Sequence, residues 1–192
     1  IGDINVFGGS HSSMAVKMSQ LKSSQKNKKI ILVGPTYMIP PGYPTNFHFD
    51  NFGYRRLGEY FGKVIKNVIF DKKTWTPLSP KNFTLNNNLI TIDFNVPVLP
   101  LKFDPNIKIS DEGFKIFDGD KPINILSIKI SSPSSIQITL ESKPEKNKLE
   151  IRYGFESLPN YPNGGGTIMD SDNSFSLYKN SLANYLVQFK YE

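Results

Sequence analysis

His48 is one of two histidines in the chain, and it directly precedes a segment with the pattern of a helix, "DNFGYRRLGEY". An imidazole accepts and releases protons near neutral pH, so a histidine at the end of a loop can serve as a general base. The neighbouring Phe47, Phe49 and Phe52 also fit another interpretation, in which the ring packs among aromatic side chains. From the residues alone, the catalytic and the packing role both stay open.

A histidine base acts on a nucleophile, and the stretch "GGSHSS" at residues 8–13 offers Ser10 beside His11. A helix is predicted to follow after only two residues, without the apolar strand that rigidifies a nucleophile elbow. We therefore expect Ser12 or Ser13 to cap that helix, and we do not assign Ser10 as a nucleophile. Without a nucleophile and an oxyanion hole, one histidine does not hydrolyse an ester at a useful rate.

Acidic residues are paired in two turns, but turn chemistry explains them. Asp118 and Asp120 flank Gly119, and Asp170 and Asp172 follow the glycine-rich stretch "NGGG", which is predicted to be a flexible loop. The spacing of a calcium-binding EF-hand is absent, and the chain has no cysteine. We therefore predict no metal site and no cofactor.

Aromatic side chains in loops are candidates for contacts with sugar rings. We assign Tyr37 and Tyr43 as substrate-binding residues on this ground, and Trp75 and Tyr161 share the same property. The alternative for an isolated aromatic residue in a turn is that it anchors the loop to the core.

The elements that must position these residues change in character near residue 75. The first part predicts a short amphipathic helix in "SSMAVKMSQLKSS", then a strand buried on both faces in "KIILVGPTY", and a second helix capped by Asp50 or Asn51. That order is a piece of an α/β layer fold. On the second helix, one face is predicted to carry Tyr54, Leu57, Phe61, Val64 and Ile65.

The second part has the alternating pattern of an antiparallel β-sandwich. We predict an α/β fragment over residues 1–70, a linker over 71–80 and an all-β antiparallel sandwich over 81–192. The predicted strands are 89–96, 113–119, 123–130, 135–142, 148–155 and 185–192.

Charge and hydropathy limit the function classes. The net charge is +6, and residues 1–75 carry 11 Lys/Arg against 4 Asp/Glu. Such a basic part attracts nucleic acid or an acidic polysaccharide, although a solvated lysine-rich loop at residues 22–29 explains much of it. Apolar runs fall short of the roughly 18 residues of a membrane span. The start "IGDINVFGGS" is typical of the interior of a longer chain, not of a signal peptide.

Residues 28–68 resemble the end of an SGNH-type (GDSL-like) esterase domain. The resemblance rests on "VGPTY" followed by "TNFHFDNFGYRRLGEYFGKVI", in which His48, Gly53, Tyr54, Leu57 and Gly58 match the pattern His-x-x-x-x-Gly-Tyr-x-x-Leu-Gly. The pattern occurs in carbohydrate O-acetyl esterases related to sialate O-acetylesterase and in esterase domains of bacteriophage tail spikes. The resemblance implies that His48 is the general base of a serine esterase.

Two departures from that family are visible. The family has an acidic residue three positions before the histidine, which orients the ring, and here that position is Thr45. Its nucleophile lies in a Gly-Asp-Ser motif more than a hundred residues before the histidine, so the serine is expected outside this chain. The stretches "LKFD", "GFKIFD", "IRYG" and "GGGTIMDSD" further resemble the sandwich that follows the esterase domain in some phage and prophage proteins.

These resemblances imply the C-terminal portion of a tail spike-like protein that removes O-acetyl groups from bacterial surface polysaccharide. Its expected partners are that polysaccharide, the remainder of the parent polypeptide and two further copies in a homotrimer, on a virion tail or otherwise extracellular. Neither a membrane nor a nucleic acid is expected as a partner, and the fragment alone is expected to be inactive. The alternative is a non-catalytic carbohydrate-binding or trimer-assembly module. Nucleic-acid binding is a third hypothesis that rests on charge alone.

Overall fold

The structure is a computed structural model, and it describes residues 11–39, 48–156 and 164–192 of the 192-residue chain. Two α-helices occur in the described residues. Helix α1 spans His11–Lys26, and α2 spans Asn51–Ile65 and continues into a π-helical segment, Lys66–Phe70. Both helices are predicted from the sequence. Neither one combines the length and apolar composition that a membrane span requires.

The strands of the described residues pair only in antiparallel fashion. One four-stranded sheet has the order β1-β2-β7-β6, a second has the order β10-β8-β4-β5, and β3 pairs with β9. The bounds are β1 Ser79–Asn86, β2 Leu89–Asn95, β3 Lys102–Phe103, β4 Phe114–Asp118, β5 Lys121–Ile123, β6 Ile125–Ser132, β7 Ser135–Leu140, β8 Leu149–Tyr153, β9 Ile168–Met169 and β10 Phe189–Tyr191.

The two four-stranded sheets enclose the main hydrophobic core between them. Alternate residues of β2 and β7 point inward from the first sheet, and those of β4 and β8 from the second, so that all four strands contribute to one buried cluster. This period of two is the pattern of strands with one buried face. The predicted antiparallel sandwich is therefore consistent with the structure. Helix α1 packs against this core through Leu21 and Met18.

A second hydrophobic core lies between α2, residues 31–39 and the C-terminal segment. It contains Val33, Ile39, Tyr60, Val64 and Tyr185, together with further partly buried side chains. Residues 31–39 are almost entirely buried, but they form no strand, so the predicted buried strand is wrong. Within the described ranges, the apolar run is covered by side chains of this core and is paired with no strand.

The C-terminal segment connects the helical part to the sandwich. Tyr60 donates a hydrogen bond to the carbonyl of Ala183 (2.9 Å), and Tyr37 donates one to the carbonyl of Leu186 (2.9 Å). On α1, Lys17 Nζ donates to Gln188 Oε1 (2.7 Å). The Tyr60 contact holds α2, whose first turn follows His48, against the C-terminal segment.

Candidate functional site

The start of α2 is set by a side-chain cap. Asp50 has extended backbone angles, and its Oδ1 accepts a hydrogen bond from the backbone N–H of Gly53 at 2.7 Å. A carboxylate in this position satisfies one of the free N–H groups of the first turn and interacts favourably with the helix dipole. The cap predicted at Asp50 or Asn51 is thus confirmed at Asp50. It places His48 in the last loop positions before the helix.

His48 is exposed, and its ring is held by one side chain of the first turn. The Nδ1 atom lies 3.1 Å from the hydroxyl oxygen of Tyr54. Tyr54 is in turn packed edge-on against Phe49, with ring centroids 5.6 Å apart. Among the described residues, the other ring nitrogen, Nε2, has no hydrogen-bond partner. The arrangement thus orients the ring through a hydrogen bond between Nδ1 and a surface hydroxyl.

Several residues from the sequence analysis lie outside the described residues. These are Ser10, Tyr43, Thr45 and Tyr161, together with the side chains of Ser12 and Ser13. Asp50, the nearest carboxylate in sequence to His48, is engaged by the helix cap. Tyr54 was not singled out as the partner of His48, although it belongs to the motif. Its contact becomes evident only once the helix is known to begin at Asn51.

Tyr37 has a structural environment that differs from the predicted one. Its side chain is only 3% exposed, and its ring packs edge-on against Tyr185. Its hydroxyl lies 3.5 Å from that of Tyr153 and donates to Leu186. A buried ring offers no face to a sugar, so in this conformation Tyr37 anchors residues 31–39 to the sandwich.

The buried face of α2 is shifted from the face predicted from the sequence. Tyr54 and Ile65 are about half exposed, at 50% and 48%, while Gly53, Tyr60 and Val64 are buried on α2. Tyr54 is therefore available at the surface beside His48. The shift arises because residues 31–39 and the C-terminal segment cover α2 on the side of Tyr60.

Lys63 connects α2 to the segment that contains Asp170 and Asp172. Its Nζ donates to Asn184 Oδ1 (2.7 Å), to Asp172 Oδ2 (3.1 Å) and to the carbonyl of Leu182. Burial lowers the pKa of Lys63, against the raising effect of Asp172. Burial also opposes ionisation of Asp172, but hydrogen bonds from Ser174 and the charge of Lys63 bring its pKa below the usual value.

Asp170, the other member of this acidic pair, has structural partners as well. Asp170 is 1% exposed and accepts hydrogen bonds from the backbone N–H groups of Val98, Asp172 and Asn184 and from the side-chain amide of Asn184. Asp118 and Asp120 lie at the β4–β5 turn, where Gly119 has a positive φ. Within the part of the chain that the structure describes, no cluster of three or more His, Cys, Asp and Glu side chains could hold a metal ion.

The glycine-rich stretch is packed rather than flexible where it is described. Residues 164–168 are buried. A Cβ atom on Gly166 would overlap the ring and hydroxyl of Tyr153, which is fully buried. The glycines allow the backbone to pass directly over this ring. The predicted flexible loop is therefore wrong for residues 164–168.

Three aromatic and cationic side chains form an exposed surface at the same end of α2 as His48. Phe52, Arg55 and Tyr178 make up this surface, which we call the aromatic ledge. The Arg55 guanidinium lies 3.9 Å from the centroid of the Tyr178 ring. The ledge is not predictable from local sequence, because Tyr178 lies more than a hundred residues from α2 and no local pattern links the two.

The lysines are distributed over many elements of the described chain. They occur on α1, at the end of α2 and on both four-stranded sheets, and several form ion pairs, such as Lys66 and Lys73 with Asp71. A nucleic-acid groove requires a concentrated basic surface. The described residues form no such basic surface, so they do not support the hypothesis of nucleic-acid binding.

No protein-family model matches the sequence, and a comparison with curated proteins finds no match. Among solved structures, the chain resembles a carbohydrate acetylesterase from Xanthomonas citri, with a TM-score of 0.56 and 14% sequence identity. The chain also aligns with the N-terminal part of the bacterial S-layer protein SbsC, at a TM-score of 0.39 and 9% identity over 93% of this chain and 39% of that one. A TM-score that low supports no inference.

The similarity to the acetylesterase covers 89% of this chain and 35% of that one. Residues 79–192 make up only about three-fifths of the sequence, so the match extends over both the helical part and the sandwich. The chain spans about a third of the length of that enzyme. Its described helices and antiparallel sheets thus share a fold with part of a carbohydrate acetylesterase.

Proposed function

We propose that the chain is the C-terminal portion of a carbohydrate-directed serine esterase, in which His48 is the general base. The observation that carries the proposal is the position of His48. It is exposed immediately before α2, with Nδ1 oriented by Tyr54 and Nε2 without a partner among the described residues. The fold similarity to a carbohydrate acetylesterase supports it. The nucleophilic serine would come from a part of the protein outside this chain.

In the proposed reaction, Nε2 of His48 removes the proton of that serine as its oxygen attacks the ester carbonyl. The imidazolium then returns the proton to the departing sugar oxygen, and a water molecule hydrolyses the acyl-enzyme by the same path. Tyr54 would hold the ring by accepting a hydrogen bond from Nδ1–H. A neutral hydroxyl orients the ring but compensates its positive charge less than a carboxylate would.

The finer proposal concerns substrate and setting. We propose O-acetyl groups of bacterial surface polysaccharide as the substrate and a phage or prophage tail spike-like protein, a homotrimer, as the parent. The support for this setting is the resemblance of the His48 motif and of the sandwich stretches to such proteins.

The direct experiment measures acetate release from an O-acetylated polysaccharide by the longer protein and by this chain alone. We expect activity in the longer protein and none in the isolated chain. If neither sample releases acetate while both bind the polysaccharide, the chain is instead a non-catalytic carbohydrate-binding or assembly module. The exposed aromatic ledge is the observation that favours this alternative.

A further inference from the structure

The aromatic ledge has a defined geometry. The ring centroids of Phe52 and Tyr178 are 6.3 Å apart, and the planes meet at 74°. Arg55 lies against both rings, 3.9 Å from the Tyr178 centroid and 5.8 Å from the Phe52 centroid. The negative face of an aromatic ring attracts a cation placed in this way. The guanidinium is therefore held in place instead of extending freely into solvent.

Hydrogen bonds on either side fix the ledge. Tyr178 lies in a turn closed by the bridge between Phe175 and Ser181, and its backbone N–H donates to Ser176 Oγ at 3.1 Å. Glu59 on α2 accepts from the backbone N–H of Leu177 at 3.1 Å. The turn and α2 thus hold Phe52, Arg55 and Tyr178 in a preformed arrangement, which reduces the entropy lost when a ligand binds.

Both aromatic rings of the ledge are exposed to solvent. Phe52 is 56% exposed and Tyr178 is 53% exposed. Large aromatic side chains and arginine are the residues that are enriched where proteins bind partners. Two such rings side by side, next to an arginine, indicate a binding surface more than a solvated face.

The positive charge of Arg55 indicates that the partner carries a negative charge. In the described part of the chain, no carboxylate lies within ion-pair distance of Arg55. Another arginine–aromatic contact among the described residues differs in this respect. Arg152 lies over Phe117, with 4.4 Å to the ring centroid, but it is paired with Glu150. Arg55 therefore has donors free for an external anion, and a guanidinium matches a carboxylate in a bidentate manner.

We propose that the aromatic ledge binds an acidic glycan, with a uronate carboxylate on Arg55 and the apolar C–H face of a pyranose ring on Phe52 and Tyr178. This inference rests on the proposed function and specifies its substrate class. Phe52 and Tyr54 belong to the first turn of α2, so the ledge and His48 lie at the same end of the helix.

The test is calorimetric titration of this chain with oligosaccharides of galacturonate, glucuronate and mannuronate, each against its methyl ester. We expect at least one acidic form to bind about tenfold more tightly than its neutral ester. Arg55→Gln should abolish this preference, and Phe52→Ala and Tyr178→Ala should weaken both forms about fivefold. Arg152→Gln and Phe70→Ala are matched controls, since Phe70 is 73% exposed at the far end of the same helical segment. Both should bind like the unaltered chain.

The proposal is overturned if none of the three acidic oligosaccharides binds at millimolar concentration, or if Arg55→Gln has no more effect than Arg152→Gln. If a single-stranded oligonucleotide binds more tightly than the glycans and loses affinity in the same variants, the ledge is a nucleic-acid site. If the chain associates with itself as its concentration rises, and Phe52→Ala abolishes this association, the ledge is a self-association surface. Either result also overturns it. The titration involves no ester hydrolysis, so its failure and the failure of the His48 proposal are distinguishable.

Discussion

Nδ1 of His48 lies 3.1 Å from the hydroxyl oxygen of Tyr54, six residues further along the chain and on the first turn of α2. An esterase histidine takes the serine proton on Nε2, which requires the tautomer with the proton on Nδ1. The Tyr54 oxygen can accept a hydrogen bond from Nδ1–H in that tautomer. In the proposed site, the pair would provide the orientation that a carboxylate supplies in a full triad, without its negative charge.

Changing Tyr54 to Phe tests this orienting role in the chain itself. We expect the Nδ1-protonated tautomer of His48 to be populated in the unaltered chain and to decrease in Tyr54→Phe, while the fold is retained because Tyr54 is half exposed. Nitrogen-15 NMR of the imidazole measures the tautomer ratio. The chain has only two histidines, so His11→Gln assigns the signals. An unchanged ratio in Tyr54→Phe would contradict the role of the hydroxyl.

Lys63 is expected to contribute much more to stability than its neighbour Lys66. Lys63→Met removes three hydrogen bonds and leaves the partly buried Asp172 without its ion-pair partner, which should cost about 2 kcal/mol in the free energy of unfolding. Lys66→Met is the matched control, because Lys66 forms an exposed pair with Asp71 and such pairs contribute little. Urea unfolding of both variants provides the measurement. Equal destabilisation by the two changes would refute the expectation.

Gly166→Ala is expected to disrupt the packing over Tyr153. The added methyl group would overlap the buried ring, and forced overpacking of a core typically costs about 1–3 kcal/mol. In contrast, Gly62→Ala adds a methyl group on α2 with open space around it and should stabilise the protein by roughly 0.5–1 kcal/mol. Thermal unfolding should therefore shift in opposite directions in the two variants. A Gly166→Ala protein as stable as the unaltered chain would mean that this close approach is not required.

Tyr60 is expected to make the free energy of unfolding decrease as the pH rises in the alkaline range. Burial raises its pKa to about 12, although Arg56 acts in the opposite direction, whereas a tyrosine in the unfolded chain has a pKa near 10. Between these values the native chain keeps a proton that the unfolded chain loses. The contribution of protonated Tyr60 to the free energy of unfolding is therefore complete below about pH 10 and is lost as the pH rises to about 12. Chemical unfolding at a series of pH values should show a shallower decline in Tyr60→Phe, and an identical decline would contradict this cause.

The sequence predicts those parts of the fold that local chemistry determines. Asp50 caps the helix that follows it, and Gly119 allows the β4–β5 turn, because both effects involve neighbouring residues. The run at residues 29–37 was predicted as a strand, since an apolar run indicates burial but does not distinguish strand pairing from packing by side chains. Strand β1 was missed because it is an edge strand with Pro80 and alternate exposed polar residues, and its start falls inside the predicted linker.

The same distinction applies to the candidate site. The position of His48 before a capped helix follows from local sequence, and Tyr54 is part of the same motif. The ledge depends on Arg55 and Tyr178, which are 123 residues apart and meet only through the tertiary fold. The sequence predicts sugar binding by Tyr37 because it is an isolated aromatic residue of a predicted loop, but packing against the C-terminal segment buries it.

The rate of acetyl-ester hydrolysis by the longer protein, with and without His48→Ala, tests the central claim most directly. We predict that kcat falls by about 10²–10⁴ in His48→Ala, as expected for the loss of a general base, while Phe70→Ala, a distant surface change, retains full activity. The same preparations should unfold at the same temperature, so that the loss is assigned to chemistry. Full hydrolytic activity in His48→Ala would contradict the assignment of His48 as the base.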